Sequence, residues 1–306
     1  MVEIVAEDKL PAIVGGGAHP CIAPTGDPVH ATGMTTHLTI ASLVMACAIA
    51  HGGARPQLIA HRGASVDAPE NTLAAFRLAW EQRADGIEAD LHLTRDGHIV
   101  CIHDADTRKV AAENLVVRDS TLEQLRRLDV GTRHHERFRG EQIPTLAEVL
   151  ETVPPGKLIY LDIKVGVEII PPLLAAIRES NVAPAQVVML AFDAGVVREL
   201  KNQAPGFKTH WLCRVRRNRL TRRRSPTIEE VLATLRNSGA DGLASRHTGI
   251  SDACVRQVIA EGFEHHVWTV NCMQTADRFA RLGTSSIITD VPANLLEHLT
   301  TPQIAP

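Results

Sequence analysis

The chain has little that stacks on a base. It holds one tyrosine, three tryptophans and six phenylalanines among 306 residues. No stretch interleaves aromatic with basic side chains, the pattern that single-stranded nucleic acid requires. Charge of one sign is also missing. The formal net charge is -3, so no global field draws the chain to a polyanion. No nucleic-acid partner is expected. The six cysteines, at 21, 47, 101, 213, 254 and 272, are far apart. They form no C-x-x-C pair and no Cys/His spacing of the zinc-site kind, and a chain of this length needs no disulfide framework. Cys101, set in an apolar run, reads as a small core residue. No G-x-G-x-x-G turn follows the first strand, which argues against an open dinucleotide-binding sheet.

Long apolar runs are absent too. The longest, over residues 38–50, is too short to cross a bilayer. Were translation to begin at Met34, it would serve as the apolar region of a signal peptide, with Ala46, Ala48 and Ala50 near a cleavage site. Against this, residues 34–37 contain no Lys or Arg. Val44-Met45-Ala46-Cys47 bears a faint likeness to a bacterial lipoprotein cleavage box. The alternative is a surface helix of an N-terminal extension. Exported and cytoplasmic forms are both compatible with these residues. Residues 1–33 carry Gly, Pro and His with no sustained period and read as irregular. The expected organisation is an extension over 1–55, one domain over 56–300, and a tail over 301–306.

What the chain does have is a regular alternation. From residue 58, short β-branched runs alternate with amphipathic segments. Strands are expected at 58–60, 86–93, 158–164, 187–191, 209–213, 241–244, 266–271 and 286–289. Helices are expected after Asn71, a plausible N-cap, and over 146–153, 168–180, 228–236 and 251–261. Asp96-Gly97 marks a tight turn, so residues 99–102 return against the second strand. Residues 105–142 are polar and irregular, apart from a short helix over 121–128, and form an insertion that walls the site. Eight strands with intervening helices predict an α/β fold, a (β/α)8 TIM barrel with a short insertion after the second strand. The apolar fraction of 44% is ample for its core.

The chemistry concentrates at predicted strand ends. Glu88 and Asp90 lie two residues apart, so they share one face of a strand while Ile87, Ala89 and Leu91 share the other. Two close carboxylates repel and need a cation or a shared proton. His61 and His103 bracket them in sequence. Asp162 and Lys164 repeat the alternation on the next strand. A buried ion-pair cluster is the alternative to a metal site, but three acids without a cation would repel. With no thiolate among them, they suit a hard cation, Mg2+ or Ca2+.

Six blocks carry a family resemblance: Ile59-Ala60-His61-Arg62-Gly63, Pro69-Glu70-Asn71-Thr72, Gly86-Ile87-Glu88-Ala89-Asp90, His103-Asp104, Leu161-Asp162-Ile163-Lys164, and Val267-Trp268-Thr269-Val270-Asn271. Ile143-Pro144-Thr145-Leu146 and Ile287-Ile288-Thr289-Asp290-Val291-Pro292 extend it. In order and spacing the chain resembles the glycerophosphodiester phosphodiesterase family over about residues 56–298. The resemblance implies metal-dependent hydrolysis of a glycerophosphodiester to an alcohol and sn-glycerol 3-phosphate. It implies Glu88, Asp90 and Asp162 as metal ligands and His61 and His103 as the acid-base pair. Arg62, Lys164 and Trp268 become substrate contacts, though Trp268 also suits barrel packing. Asn71 is either a cap or functional, and Asp290 fixes the last turn. The family often has Glu where this chain has Asp162. That shorter acid is similar to the related sphingomyelinase D-like phospholipases. A lipid-cleaving, phospholipase D-like enzyme acting on intact or lyso lipids is thus an alternative, and a non-catalytic phosphoester-binding barrel a second.

His92, His134, His135, His265 and His266 read as packing or surface residues rather than ligands. Arg214, Arg216, Arg217, Arg219, Arg222, Arg223 and Arg224 form a dense basic run. It reads as a solvated loop or, more sharply, as a peripheral contact for anionic membrane headgroups.

Overall fold

The computed structural model describes residues 55–300 except 219 and 222. The signal-like segment, the tail, and Arg219 and Arg222 of the basic run lie outside the described residues. Eleven strands are present among the described residues. They are β1 (Gln57–His61), β2 (Gly86–Leu93), β3 (Ile99–Cys101), β4 (Leu158–Ile163), β5 (Val187–Ala191), β6 (Lys208–Cys213), β7 (Arg216–Arg217), β8 (Arg224–Ser225), β9 (Gly242–Arg246), β10 (Glu264–Trp268) and β11 (Ser286–Thr289). Eight of them run parallel in the order β1, β11, β10, β9, β6, β5, β4, β2, and β1 pairs with β2 to close the circle. A helix follows the barrel strands in turn, making a (β/α)8 TIM barrel. Among the described residues no helix is long and apolar enough to cross a membrane.

Strand alternation divides the apolar residues into two layers. Outward positions such as Leu58, Ile87, Ala89, Leu91, Leu161 and Met189 pack under the helices in one large core. Inward positions such as Ile59, Tyr160, Val188, Leu190, Leu212 and Ile288 fill the barrel. Full burial of an Ile or Leu side chain is worth roughly 1.5–3 kcal/mol, so the outer layer supplies most of the folding energy. That surplus lets the inner layer carry polar groups at both ends.

The hairpin expected at Asp96-Gly97 is present. β3 runs antiparallel to β2, with Leu91 opposite Cys101, and the Ile102 N–H donates to the Asp90 carbonyl at 3.0 Å. His103 is thereby delivered to the end of β2. Cys101 is a buried free thiol, as its apolar run suggested. The insertion is less irregular than its polar composition suggests. It carries a helix, Leu122–Arg126, closed by a capping box from Thr121 and Gln124. It also has a small core of its own, in which Val117, Leu125 and Val130 pack on Val100 and Ile102 of the hairpin.

Three local expectations need correction. The first helix, Leu73–Glu81, is capped not by Asn71 but by Thr72, whose hydroxyl accepts from the Ala75 N–H. The strand expected at 266–271 is β10, which starts two residues earlier and ends at Trp268. His265 and His266 are therefore strand residues, buried on opposite faces. His265 takes Ser245 and Thr284 hydroxyls as partners, and burial holds its imidazole down at about 3. The basic run is not one loop: β7 and β8 form a small antiparallel hairpin within it.

Every strand of the barrel lies within residues 57–289. A protein lacking residues 1–54 should therefore unfold in one cooperative transition by calorimetry. A broad, non-cooperative melt of that truncated chain would place the extension inside the folding unit.

Candidate active site

The catalytic end is assembled by turns that the side chains themselves dictate. β1 stops at His61. Arg62 then takes a left-handed conformation, φ 57°, and Gly63 follows at φ 81°. A Cβ on Gly63 would lie 2.5 Å from the Ala75 carbonyl carbon, so only glycine fits there. The strained Arg62 backbone is put to use: its N–H donates to Glu88 Oε2 at 2.9 Å. Asn71 is also left-handed, φ 57°, a conformation Asn tolerates better than most residues. Its side chain is turned to Asp90. Asn71 Nδ2 donates to Asp90 Oδ2 at 2.7 Å, and Asn71 Oδ1 accepts from the Asp90 N–H at 3.1 Å.

Register brings the acids together. His61 pairs with Glu88 across β1 and β2, and Asp90 pairs with Asp162 across β2 and β4. All three carboxylates are buried, Asp90 to 1% exposure, and one oxygen of each lies within 4.8 Å of the others. Two cations answer them. Lys164 Nζ is 2.9 Å from Asp90 Oδ1 and 2.6 Å from Asp162 Oδ2. Arg62 Nε is 3.0 Å from Asp90 Oδ2, and its Nη1 donates to Glu70 Oε1 at 3.2 Å.

The charge balance is uneven. Burial acts to raise the Asp90 carboxyl, but Lys164 and Arg62 outweigh it and hold Asp90 well below the usual range. Glu88 goes the other way: burial, then the charges of Asp90 and Asp162, push it well up. Burial also raises Asp162, against the pull of Lys164. Lys164 itself is raised, because Asp162, Asp90 and Glu88 outweigh its burial. Asp162 Oδ1 is buried with no hydrogen-bond partner. An unanswered carboxylate oxygen and an excess of negative charge fit a hard divalent cation held by Glu88, Asp90 and Asp162.

The two histidines are built alike. His61 Nδ1 is 2.6 Å from Asp290 Oδ1, and His103 Nδ1 is 2.6 Å from Asp104 Oδ1. Each carboxylate takes one ring nitrogen and leaves Nε2 for the cavity. Asp290 is itself held by Ser65 Oγ at 3.1 Å and Asn271 Nδ2 at 2.6 Å. It thus orients His61 besides shaping the last turn; burial acts to raise its carboxyl, but the His61 contact first, then the Asn271 and Ser65 hydrogen bonds, keep it down at about 2. His92, a packing residue, sits 3.2 Å from the His103 carbonyl through Nε2.

A cavity of about 70 Å³ opens over this end. His61, Arg62, Glu88, His103, Asp162, Lys164 and Trp268 all line it. Asp90 lies beneath them. Two further lining residues lie outside the expected site, Phe192 and Arg214, the second expected only as part of the basic run. Phe192 follows β5 and meets Trp268 edge to face, centroids 5.8 Å apart. The Arg214 guanidinium sits 5.3 Å from the Phe192 ring and 5.4 Å from the Trp268 ring. Arg214 therefore leaves the basic run and joins the cavity wall. No pattern in the sequence marks Phe192. The insertion contributes Lys109, whose Nζ meets Glu70 Oε2 at 2.8 Å.

Asn71 and Thr72 are adjacent but do different work. Asn71→Ala strips two hydrogen bonds from buried Asp90, so it should cost about 1–3 kcal/mol of stability and lower turnover as well. Thr72→Ala removes only a cap, worth about 1 kcal/mol, and should leave turnover near that of the parent. Denaturant unfolding with a parallel assay checks both. Equal turnover in the two variants would reduce Asn71 to a scaffold residue.

Residues 61–294 match the family described as the glycerophosphoryl diester phosphodiesterase family. A glycerophosphodiester phosphodiesterase of Caldanaerobacter subterraneus subsp. tengcongensis is 35% identical over 244 residues, 78% of this chain and 96% of that protein. One from Bacillus subtilis is 25% identical over 252 residues, 76% of this chain and 83% of that protein. Among solved structures, an Oleispira antarctica phosphodiesterase in complex with its product sn-glycerol-3-phosphate shares the fold. The TM-score is 0.73 at 23% identity, covering 81% of this chain and 98% of that one. The cavity, its acids and its paired histidines thus sit in a chain that belongs to the glycerophosphoryl diester phosphodiesterase family.

Proposed function

We propose that this protein hydrolyses glycerophosphodiesters to an alcohol and sn-glycerol 3-phosphate, using His61 and His103 as an acid-base pair beside a divalent cation. The observation that carries the reading is the joint lining of one cavity by two carboxylate-held histidines, Lys164 and the acids Glu88 and Asp162. Glu88, Asp90 and Asp162 would hold Mg2+ or Ca2+. When bound, that ion supplies charge to a phosphoryl oxygen in the transition state.

The chain's own groups do the rest. Lys164, with Arg62 beside it, brings positive charge against the phosphoryl oxygens. One histidine takes the proton of the attacking oxygen through Nε2. The other gives a proton to the departing alkoxide. The attacking oxygen belongs to water or to the substrate's neighbouring hydroxyl, and in the second case a cyclic phosphate is opened by water afterwards. Either way the balance is one diester and one water to one alcohol and one phosphomonoester. Asp290 and Asp104 fix the ring orientations and balance the imidazolium that forms. Phe192 and Trp268 give the wall an apolar, aromatic side for the glycerol or alcohol group. The lipid-cleaving alternative rests on Asp162 alone; a comparison of glycerophosphocholine with lysophosphatidylcholine as substrates separates the two. Contact with an anionic membrane through the described arginines of the run, Arg216, Arg217, Arg223 and Arg224, is supported by their exposure.

Chelation tests the ion. EDTA should abolish turnover, and Mg2+ or Ca2+ should restore it. Glu88→Ala should lose turnover together with the rise in unfolding temperature that the cation gives the parent. Full turnover in chelator would reject the site.

The histidines are tested by leaving group. His61→Ala and His103→Ala should each lose about a hundredfold or more in turnover, while cation affinity changes little. A nitrophenyl ester, whose leaving group needs no proton, should rescue only the variant that lacks the acid. If neither variant is rescued while both still bind the cation, the histidines hold phosphate rather than move protons.

A further inference from the structure

One wall of the catalytic cavity is aromatic and yet carries a cation. Phe192 follows β5, Arg214 follows β6, and Trp268 ends β10. Both aromatic residues are held from behind. The Phe192 carbonyl accepts from Trp211 Nε1 at 2.9 Å, and Trp268 Nε1 donates to the Ala244 carbonyl at 3.0 Å. The two rings meet at 88°. The Arg214 guanidinium stands beside both, 5.3 Å from the Phe192 centroid and 5.4 Å from the Trp268 centroid. A ring attracts a cation at that range. Lys164 Nζ adds a second cation, 5.9 Å from the Phe192 centroid.

Such a wall is poorly suited to a cationic alcohol group. Aromatic residues take a quaternary ammonium through their ring faces, and here a guanidinium and an ammonium already lie against those rings. Nor does a carboxylate answer the charge. Among the described lining residues from β5, β6, β10 and the loops after them, Arg214 is the one charged side chain. The acids that line the cavity, Glu88 and Asp162, stand on β2 and β4, and Asp162 is paired with Lys164 at 2.6 Å. Asp193, next to Phe192, caps the following helix, its Oδ1 accepting from the Gly195 N–H at 2.6 Å. The Trp268 N–H is engaged with Ala244, so the indole offers a ligand no donor. A guanidinium has five N–H groups and no acceptor, which suits the oxygens of hydroxyl groups.

We propose that Arg214 sets the alcohol specificity of the hydrolysis: the cavity takes diesters whose alcohol is an uncharged polyol and turns away cationic amino alcohols of the choline kind. The inference rests on the proposed hydrolysis, in which Lys164 and the two histidines engage the phosphoryl group and leave the aromatic wall for one arm of the diester. The charge of Arg214 is a repulsive element against the wrong substrate, and its N–H groups attract the right one. At a partly exposed wall, one like charge close by changes discrimination by about tenfold.

The test compares glycerophosphoglycerol with glycerophosphocholine as substrates of the full-length protein, with Mg2+ or Ca2+ present. The parent should favour glycerophosphoglycerol by about tenfold or more in kcat/KM. Arg214→Met keeps an unbranched chain against the rings and drops the charge. It should bring the two esters close to parity, mostly through KM, and Arg214→Lys should restore the preference. Should Arg214→Met fail to fold, salt replaces it: raising the ionic strength should narrow the parent's preference by screening, and a preference unmoved by salt overturns the proposal. A parent that turns over glycerophosphocholine equally well or better overturns it with no variant needed. So does an unchanged ratio in Arg214→Met with both esters slowed alike, which would make the guanidinium a phosphate contact. If the parent turns over neither ester, the hydrolysis reading fails, and equilibrium binding of the same two esters judges Arg214 alone. Tighter binding of glycerophosphoglycerol in the parent but not in Arg214→Met supports the proposal; the same preference in both, or none in either, overturns it.

Discussion

Asp90 is the residue on which the catalytic end depends. It is buried to 1% exposure, and a lone charge there would be expelled or neutralised. Lys164, Arg62 and Asn71 all converge on its two oxygens. Removing one partner of such a buried pair typically costs about 3–5 kcal/mol, because the other charge is left unanswered. Much of the surrounding architecture follows from this need. Arg62 must turn left-handed for its backbone to reach Glu88 and its guanidinium to reach Asp90. Gly63 must follow, because a side chain would strike Ala75. Asn71 must leave the capping position to Thr72. The helix after β1 is thus anchored to β2 through one carboxylate.

The same three acids create a demand that a cation would meet. With Asp90 satisfied by two cations and Asn71, negative charge is left over on Glu88 and Asp162. Burial and mutual repulsion drive both of those carboxyls upward. A bound divalent ion would remove that penalty, and the proposed cation role would then couple stability and catalysis at one place. The histidines are kept outside this competition. Each answers to its own carboxylate, His61 to Asp290 and His103 to Asp104. Their orientation therefore survives changes in the charge of the acid cluster.

Most of this end was legible in the sequence because strands alternate. Residues two apart share a face, so Glu88 with Asp90, and Asp162 with Lys164, could be placed together without coordinates. The Asp96-Gly97 turn carried His103 back to them. Barrel closure and strand count followed from the same periodicity. Asn71 was misassigned because Asn-Thr before a helix offers two caps, and only the position of Asp90 decides between them. Phe192 belongs to no period or motif, and Arg214 was legible only as part of the basic run. They matter only because β5, β6 and β10 place them beside Trp268. The ends of β10 were misjudged because its two histidines look polar. Each in fact finds a buried partner, one toward the helices and one inside the barrel.

The base of the barrel shows why the rest could not be read. His210 and Glu264 are separated by 54 positions, while Glu264 and His266 share the inward face of β10. What joins them is a residue with no side chain, Gly242, in register with both. Spacing rules recognise groups that share a strand, a helix turn or a loop; Glu264 and His266 share β10, but its start was expected at residue 266, which left Glu264 off the strand, and His210 shares no element with either. Both ends of the barrel therefore gather polar groups by register across strands, and at both ends two of them sit on one strand. At the catalytic end the bounds of β2 were legible and the pattern reached the sequence. At the base the start of β10 hid the pair, and His210 joins it only once the circle of strands has closed.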